Sequence, residues 1–197
     1  MRLIITGSPG TGKTTVGKAL SERLNYKIFN EKEFAIAKGI GEWDSEQDEL
    51  VVPLEKLEKE VNKFFAKEKN VILEGHLLCE IKVKADFAIL LTCHPEILES
   101  RLEARGYKAE KIQDNVFCEG IEYCKKHLAR NQPKKKIIEL QIRKTKPLDQ
   151  IVEIGAGLGG YIPYIAEQQS EQQGLKPIVI DPLDYNRALE LIKYGLK

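Results

Sequence analysis

Apolar residues fall in two rhythms along this chain, and the two alternate. Short unbroken apolar runs occur at Arg2–Thr6, Lys27–Phe29, Asn70–Leu73, Phe87–Leu91 and Lys136–Ile142. Each is the length of a strand, and Phe87–Leu91 is apolar throughout, as strands buried on both faces are. Between them the period lengthens. Val16, Ala19, Leu20 and Leu24 predict a helix over Lys13–Leu24 that stops at Asn25. Leu54, Leu57, Val61, Phe64 and Phe65 predict an amphipathic helix over Leu54–Lys67. Pro95 in a first turn predicts a helix over Pro95–Arg105. Ile112, Val116, Tyr123, Cys124 and His127 share one side of a single longer helix predicted over Ala109–Arg130, which Gln132-Pro133 ends. The stretch from Glu31 to Pro53 is acidic, poor in large apolar side chains and holds Gly39 and Gly41. A mobile region with one short helix is expected there. Strands alternating with helices predict an α/β fold, a parallel sheet with helices on both faces. Pro147 marks a boundary between a first domain, 1–147, and a different segment, 148–197.

Composition narrows the class. The chain has 197 residues, 42% of them apolar and 31% charged, with a net charge of +1. That is room for one soluble domain and an appendage. The even mixture of charge gives no global field for nucleic acid or a membrane surface. No apolar run approaches the roughly 20 residues that cross a bilayer, so no membrane partner is expected. Cys79, Cys93, Cys118 and Cys124 form no C-x-x-C pair and read as small buried side chains in a reducing, cytoplasmic setting.

One motif carries chemistry outright. Gly7-Ser8-Pro9-Gly10-Thr11-Gly12-Lys13-Thr14 matches G-x-x-x-x-G-K-[ST], preceded by a predicted strand and followed by a predicted helix. Gly10 and Gly12 let backbone N–H groups converge on phosphate oxygens, and the helix start adds its positive end. Lys13 is placed to hold the β- and γ-phosphates of ATP. The Thr14 hydroxyl is a candidate ligand for the accompanying Mg²⁺, and Thr15 a candidate α-phosphate contact.

The loop fixes the nucleotide and not the reaction. Glu74 ends the third predicted strand, where a carboxylate can reach the Mg²⁺ hydration shell, and His76 two residues on can contact a phosphate or orient a nucleophile. A solvent-facing acid and a loop histidine are the plainer readings. Arg101 and Arg105 sit four apart on one helix and can close over a polyphosphate. The plainer reading there is a solvated pair beside Glu96, Glu99 and Glu103.

Four stretches together resemble the adenylate kinase isoenzyme 6 family, the short nuclear or archaeal-type adenylate kinases. They are Gly7–Thr15, Glu42–Asp48, Glu74-Gly75-His76, and Arg101–Asn115 with its Arg105-Gly106-Tyr107. The resemblance covers residues 1–145. It implies a P-loop nucleoside monophosphate kinase fold with a five-stranded parallel sheet in the order 2-3-1-4-5. It implies a monophosphate-binding region near 30–53 and a short lid near 105–115, with Arg105 reaching ATP. It also implies transfer between ATP and AMP or another monophosphate, ATP hydrolysis, and a part in small ribosomal subunit maturation through a ribosomal protein or pre-ribosomal particle. Another small acceptor, such as shikimate, stays open.

Beyond residue 147 the pattern changes. Ile151–Gly160 is a second glycine-rich motif, with a helical stretch at Tyr161–Gln172 and an apolar run ending in Asp181. This short β-α-β-like extension resembles the first motif of class I S-adenosylmethionine-dependent methyltransferases. Three readings are open: a truncated methyltransferase unit, a remnant kept as structure, and a segment that still binds a ligand.

Overall fold

The computed structural model describes residues 1–46 and 49–142. The predicted extension over 148–197 and its boundary at Pro147 lie outside the described residues. The chain begins with β1 (Arg2–Thr6), α1 (Lys13–Leu24) and β2 (Lys27–Asn30). Then come α2 (Glu31–Ala37), β3 (Glu42–Asp44), β4 (Glu49–Val51), α3 (Leu54–Lys67) and β5 (Val71–Glu74). A 3₁₀ turn at Leu77–Cys79 leads to β6 (Phe87–Cys93), followed by α4 (Pro95–Ala104), α5 (Ala109–Gly120), α6 (Tyr123–Asn131) and β7 (Ile137–Ile142).

The main sheet is all parallel, in the order β2-β5-β1-β6-β7. Counting only its five members in chain order, this is 2-3-1-4-5, as expected. Leu3, Ile4 and Ile5 at its centre are fully buried because helices cover both faces. One face packs Leu57, Val61 and Phe65 of α3 with Cys124 and Leu128 of α6 against Ile4, Leu73 and Leu90. The other packs Val16 and Leu20 of α1 against Leu3, Ile5, Ile72 and Ile89. Each such large side chain contributes about 1.5–3 kcal/mol on burial, so the two layers fix the sheet beneath the loops.

Two expectations need correction. The long helix predicted over Ala109–Arg130 is two helices. Glu122 adopts the left-handed conformation (φ 56), which ends α5 and re-aims the chain into α6. The apolar stripe divides accordingly: Ile112 and Val116 join Cys93, Leu98, Leu102 and Ile142, while Cys124 joins the α3 layer. The described part of 31–53 holds the one short helix expected and adds a pair of strands that its polarity did not suggest. Asn30 caps α2 by accepting from the N–H groups of Lys32 and Glu33, and β3 pairs antiparallel with β4. Among the described residues no helix is long and apolar enough to cross a membrane.

Candidate active site

The C-terminal ends of β1, β5 and β6 converge on the glycine-rich loop. Gly10 and Gly12 both take left-handed backbone conformations (φ 90 and 98) that open the loop around its N–H groups. A Cβ on Gly10 would stand 2.8 Å from Leu98 Cδ1 and 3.0 Å from Leu102 Cδ2, so the loop lies directly on α4. The Lys13 ammonium folds over the loop and donates to the carbonyls of Gly7 (2.8 Å) and Ser8 (3.0 Å). Burial pushes its pKa below that of a free lysine, while the carboxyl groups of Glu74 and Glu31 pull the other way.

Glu74 meets one predicted residue, Thr14, and one that the sequence did not single out, Asn30. It is almost fully buried, which sets aside the solvent-facing reading. Its Oε1 accepts from the Thr14 hydroxyl at 2.9 Å and from the Asn30 side-chain amide at 2.7 Å. Thr14 and Glu74 therefore bring two oxygen donors together at the foot of the loop, the donor type a hard divalent cation such as Mg²⁺ prefers. Among the described residues there is no cluster of three or more His, Cys, Asp or Glu side chains fit to cage a metal. A cation here would need phosphate oxygens and water as its remaining ligands.

His76 has a half-exposed imidazole on the far side of Gly75, and Glu49 and Lys111 lie near enough to act on its charge. Desolvation in the cleft, then the Lys13 ammonium, hold its pKa below the ordinary imidazole value. Arg105 caps the end of α4 with an exposed side chain, and Arg101 is half-buried one turn earlier. Both ride on the helix whose Leu98 and Leu102 approach Gly10. Thr15 lies in the first turn of α1, half-buried.

Three residues in this cleft escaped sequence reasoning. Asn30 orients Glu74, and only its place ahead of Glu33, an N-cap spacing, could have flagged it. Glu31 is a buried carboxyl whose Oε2 accepts the Leu78 N–H at 3.1 Å. Burial pushes its pKa up to about 8, against the Lys13 charge. Glu119 at the end of α5 accepts from the Ser8 hydroxyl (2.5 Å) and from the Cys93 N–H (2.6 Å), tying the glycine-rich loop to β6 and α5. Nothing in the local sequence announces either acid.

Known proteins are similar to this chain in sequence and fold. A family model described as an AAA domain matches residues 3–122, more than half of the chain. A protein of Methanocaldococcus jannaschii named "Putative adenylate kinase" is 42% identical over 126 residues, covering 63% of this chain and 70% of that protein. One of the same name from Methanosarcina barkeri is 32% identical over 163 residues, covering 77% of this chain and 88% of its own. This chain belongs to that family of adenylate-kinase-like P-loop proteins. Another member, from Pyrococcus furiosus, is 45% identical over 122 residues and is covered over 65% of its length, so the chain spans about two thirds of some relatives. Among solved structures, a shikimate kinase from Bacteroides thetaiotaomicron superposes with a TM-score of 0.50 at 17% identity, covering 89% of this chain and 99% of that one. A shikimate kinase from Acinetobacter baumannii gives 0.51 at 17% identity, over 78% and 89%. At that identity these structures establish the P-loop kinase fold of the adenylate-kinase-like chain and nothing of its acceptor.

Proposed function

We propose that this chain transfers the γ-phosphoryl group of ATP to AMP or another nucleoside monophosphate, and that it hydrolyses ATP slowly when no acceptor is bound. The observation that carries the reading is the joining of Thr14, Glu74 and Asn30 beneath the Lys13 ammonium. Family membership supports it. The site residues fit Mg²⁺: Thr14 and Glu74 would hold it, the glutamate through its hydration shell. When bound, Mg²⁺ would neutralise charge on the bridged phosphates.

The chain's own contribution is positioning and charge. The loop N–H groups and Lys13 grip the triphosphate and hold its terminal group in line. Arg101 and Arg105 close over it from α4 and neutralise charge that develops on the transferred oxygens. The region 30–53 receives the monophosphate and, with the turn at 105–115, excludes bulk water. His76 stands between these two regions, where it can contact the attacking oxygen.

Incubation with Mg-ATP and AMP should yield ADP, with ADP formation falling away when AMP is omitted. Intact hydrolysis with no transfer to any monophosphate tested would reject the kinase reading. A panel of other small acceptors, shikimate included, should give no product. The ribosomal role rests on family resemblance alone, and recovery of no ribosomal protein in a pull-down would count against it.

A further inference from the structure

Behind the Glu74-Gly75-His76 strand end lies a carboxyl group that the proposed reaction does not yet use. Glu31 opens α2 and is only 4% exposed. Its side chain passes through the space that a side chain on Gly75 would fill, since a methyl group built there overlaps Glu31 Cβ, Cδ and Oε2. Gly75 and Glu31 are thus a matched pair: the missing side chain of one admits the carboxyl of the other.

The backbone around His76 is pinned from several sides. Its carbonyl accepts from the Thr6 hydroxyl (3.3 Å) and the Cys79 thiol (3.1 Å). The N–H of Leu78 donates to Glu31 Oε2, and the N–H of Leu77 also bonds to this carboxyl. With the main chain held, the rotation of the imidazole is the freedom that remains. Its Nδ1 lies 3.9 Å from Glu31 Oε1. That is longer than a hydrogen bond, and catalytic contacts often tighten only in the complex with substrate. The two ring nitrogens point to opposite sides, so Nδ1 toward Glu31 leaves Nε2 toward the cleft.

We propose that Glu31 is a positioning residue for phosphoryl transfer: reaching past Gly75, its carboxyl holds Nδ1 of His76 and so presents Nε2 to the attacking oxygen. This rests on the kinase reading above. The plainer role, a cap for the turn at Leu77–Cys79, accounts for Oε2. It does not require Oε1 to stand 3.9 Å from the imidazole Nδ1. The groups that share the cleft, Lys13, Glu74, Glu49 and Lys111, lie around the pair on other elements.

The test uses nitrogen NMR of the full-length protein labelled at its three histidines, with H76N to assign the resonances. In the wild type His76 should show one fixed tautomer, its two ring nitrogens well separated. In E31L they should converge toward the averaged values of a free neutral imidazole, with His94 and His127 unmoved. E31Q, whose amide oxygen can accept the Leu78 N–H while its NH2 donates to Nδ1, should keep the ring in one fixed tautomer with its two nitrogens well separated. In transfer assays E31L should lower kcat about 10- to 100-fold with the KM for ATP unchanged, and it should add no loss in the H76N background. Averaged His76 nitrogens in the wild type would overturn the proposal even if E31L does not fold. So would identical His76 spectra in the wild type and a folded E31L. A wild type that transfers nothing to AMP would reject the kinase reading instead, and the nitrogen shifts would still judge Glu31.

Discussion

Lys13 keeps an ammonium in a partly dry place, where its charge acts on a phosphate far more strongly than it could in water. Lys13→Ala should therefore reduce turnover at least about 100-fold and weaken ATP binding, read by ADP release and by nucleotide titration. Unchanged values would remove the basis of the site. A second residue-scale prediction concerns acid stability. Asp86 is half-buried, which alone would raise its pKa, but the Arg2 side chain and N–H outweigh that and hold the carboxyl below its ordinary range. A lowered folded value means a contribution present above the unfolded value and lost as pH falls through the folded one. The melting temperature of the wild type should exceed that of Asp86→Asn at pH 7, and the gap should close in strong acid. A gap independent of pH would contradict it. At this scale the sequence singled out Lys13, Thr14 and Glu74 as candidates, because the motif and a strand end call for those types at those places, and the structure places Thr14 on Glu74. It hid Asn30 and Glu119, whose partners lie 44 and 111 positions away in the chain.

Among the elements, the sequence pattern named every strand of the main sheet and its parallel sense, because apolar runs of strand length between helical periods leave few other arrangements, while the strand order came from the family resemblance. It missed the joint between α5 and α6, since Glu122 is neither glycine nor asparagine and no residue type there advertises a left-handed turn. It missed the β3–β4 hairpin because three-residue strands carry too little periodicity. Two predictions belong here. Gly10→Ala combines a left-handed backbone with a close approach to Leu98 and Leu102, and should cost about 2–3 kcal/mol in urea unfolding while lifting the loop from α4. A neutral result would mean the loop does not rest on that helix. Glu119→Ala removes the acceptor for both Ser8 and Cys93, and should cost about 1–3 kcal/mol and loosen nucleotide binding. Wild-type values for both would assign Glu119 no part in holding the loop.

Across the whole molecule, the parallel sheet joins its strands beneath the glycine-rich loop, and one exposed ion pair links elements far apart in the chain. Lys111 in α5 meets Glu49 in β4 at 3.0 Å, so an ion pair joins the first turn of α5 to β4. Both side chains are substantially exposed, and such pairs add little to folding stability. Lys111→Ala should thus melt within about a degree or two of the wild type, yet raise the KM for the monophosphate. The exchange of charges, Lys111→Glu with Glu49→Lys, should restore it. Equal KM values in all three proteins would show that the pair does not govern access.

This pair makes the enzyme responsive to its ionic surroundings. Dissolved ions shield exposed charges over a length of about 10 Å at 0.1 M, and less as concentration climbs. Added potassium chloride should gradually part Lys111 from Glu49 while the hydrogen-bonded joint of Thr14, Asn30 and the buried Glu74 stays made. Entry of the acceptor and retention of the triphosphate would then answer differently to the same bath.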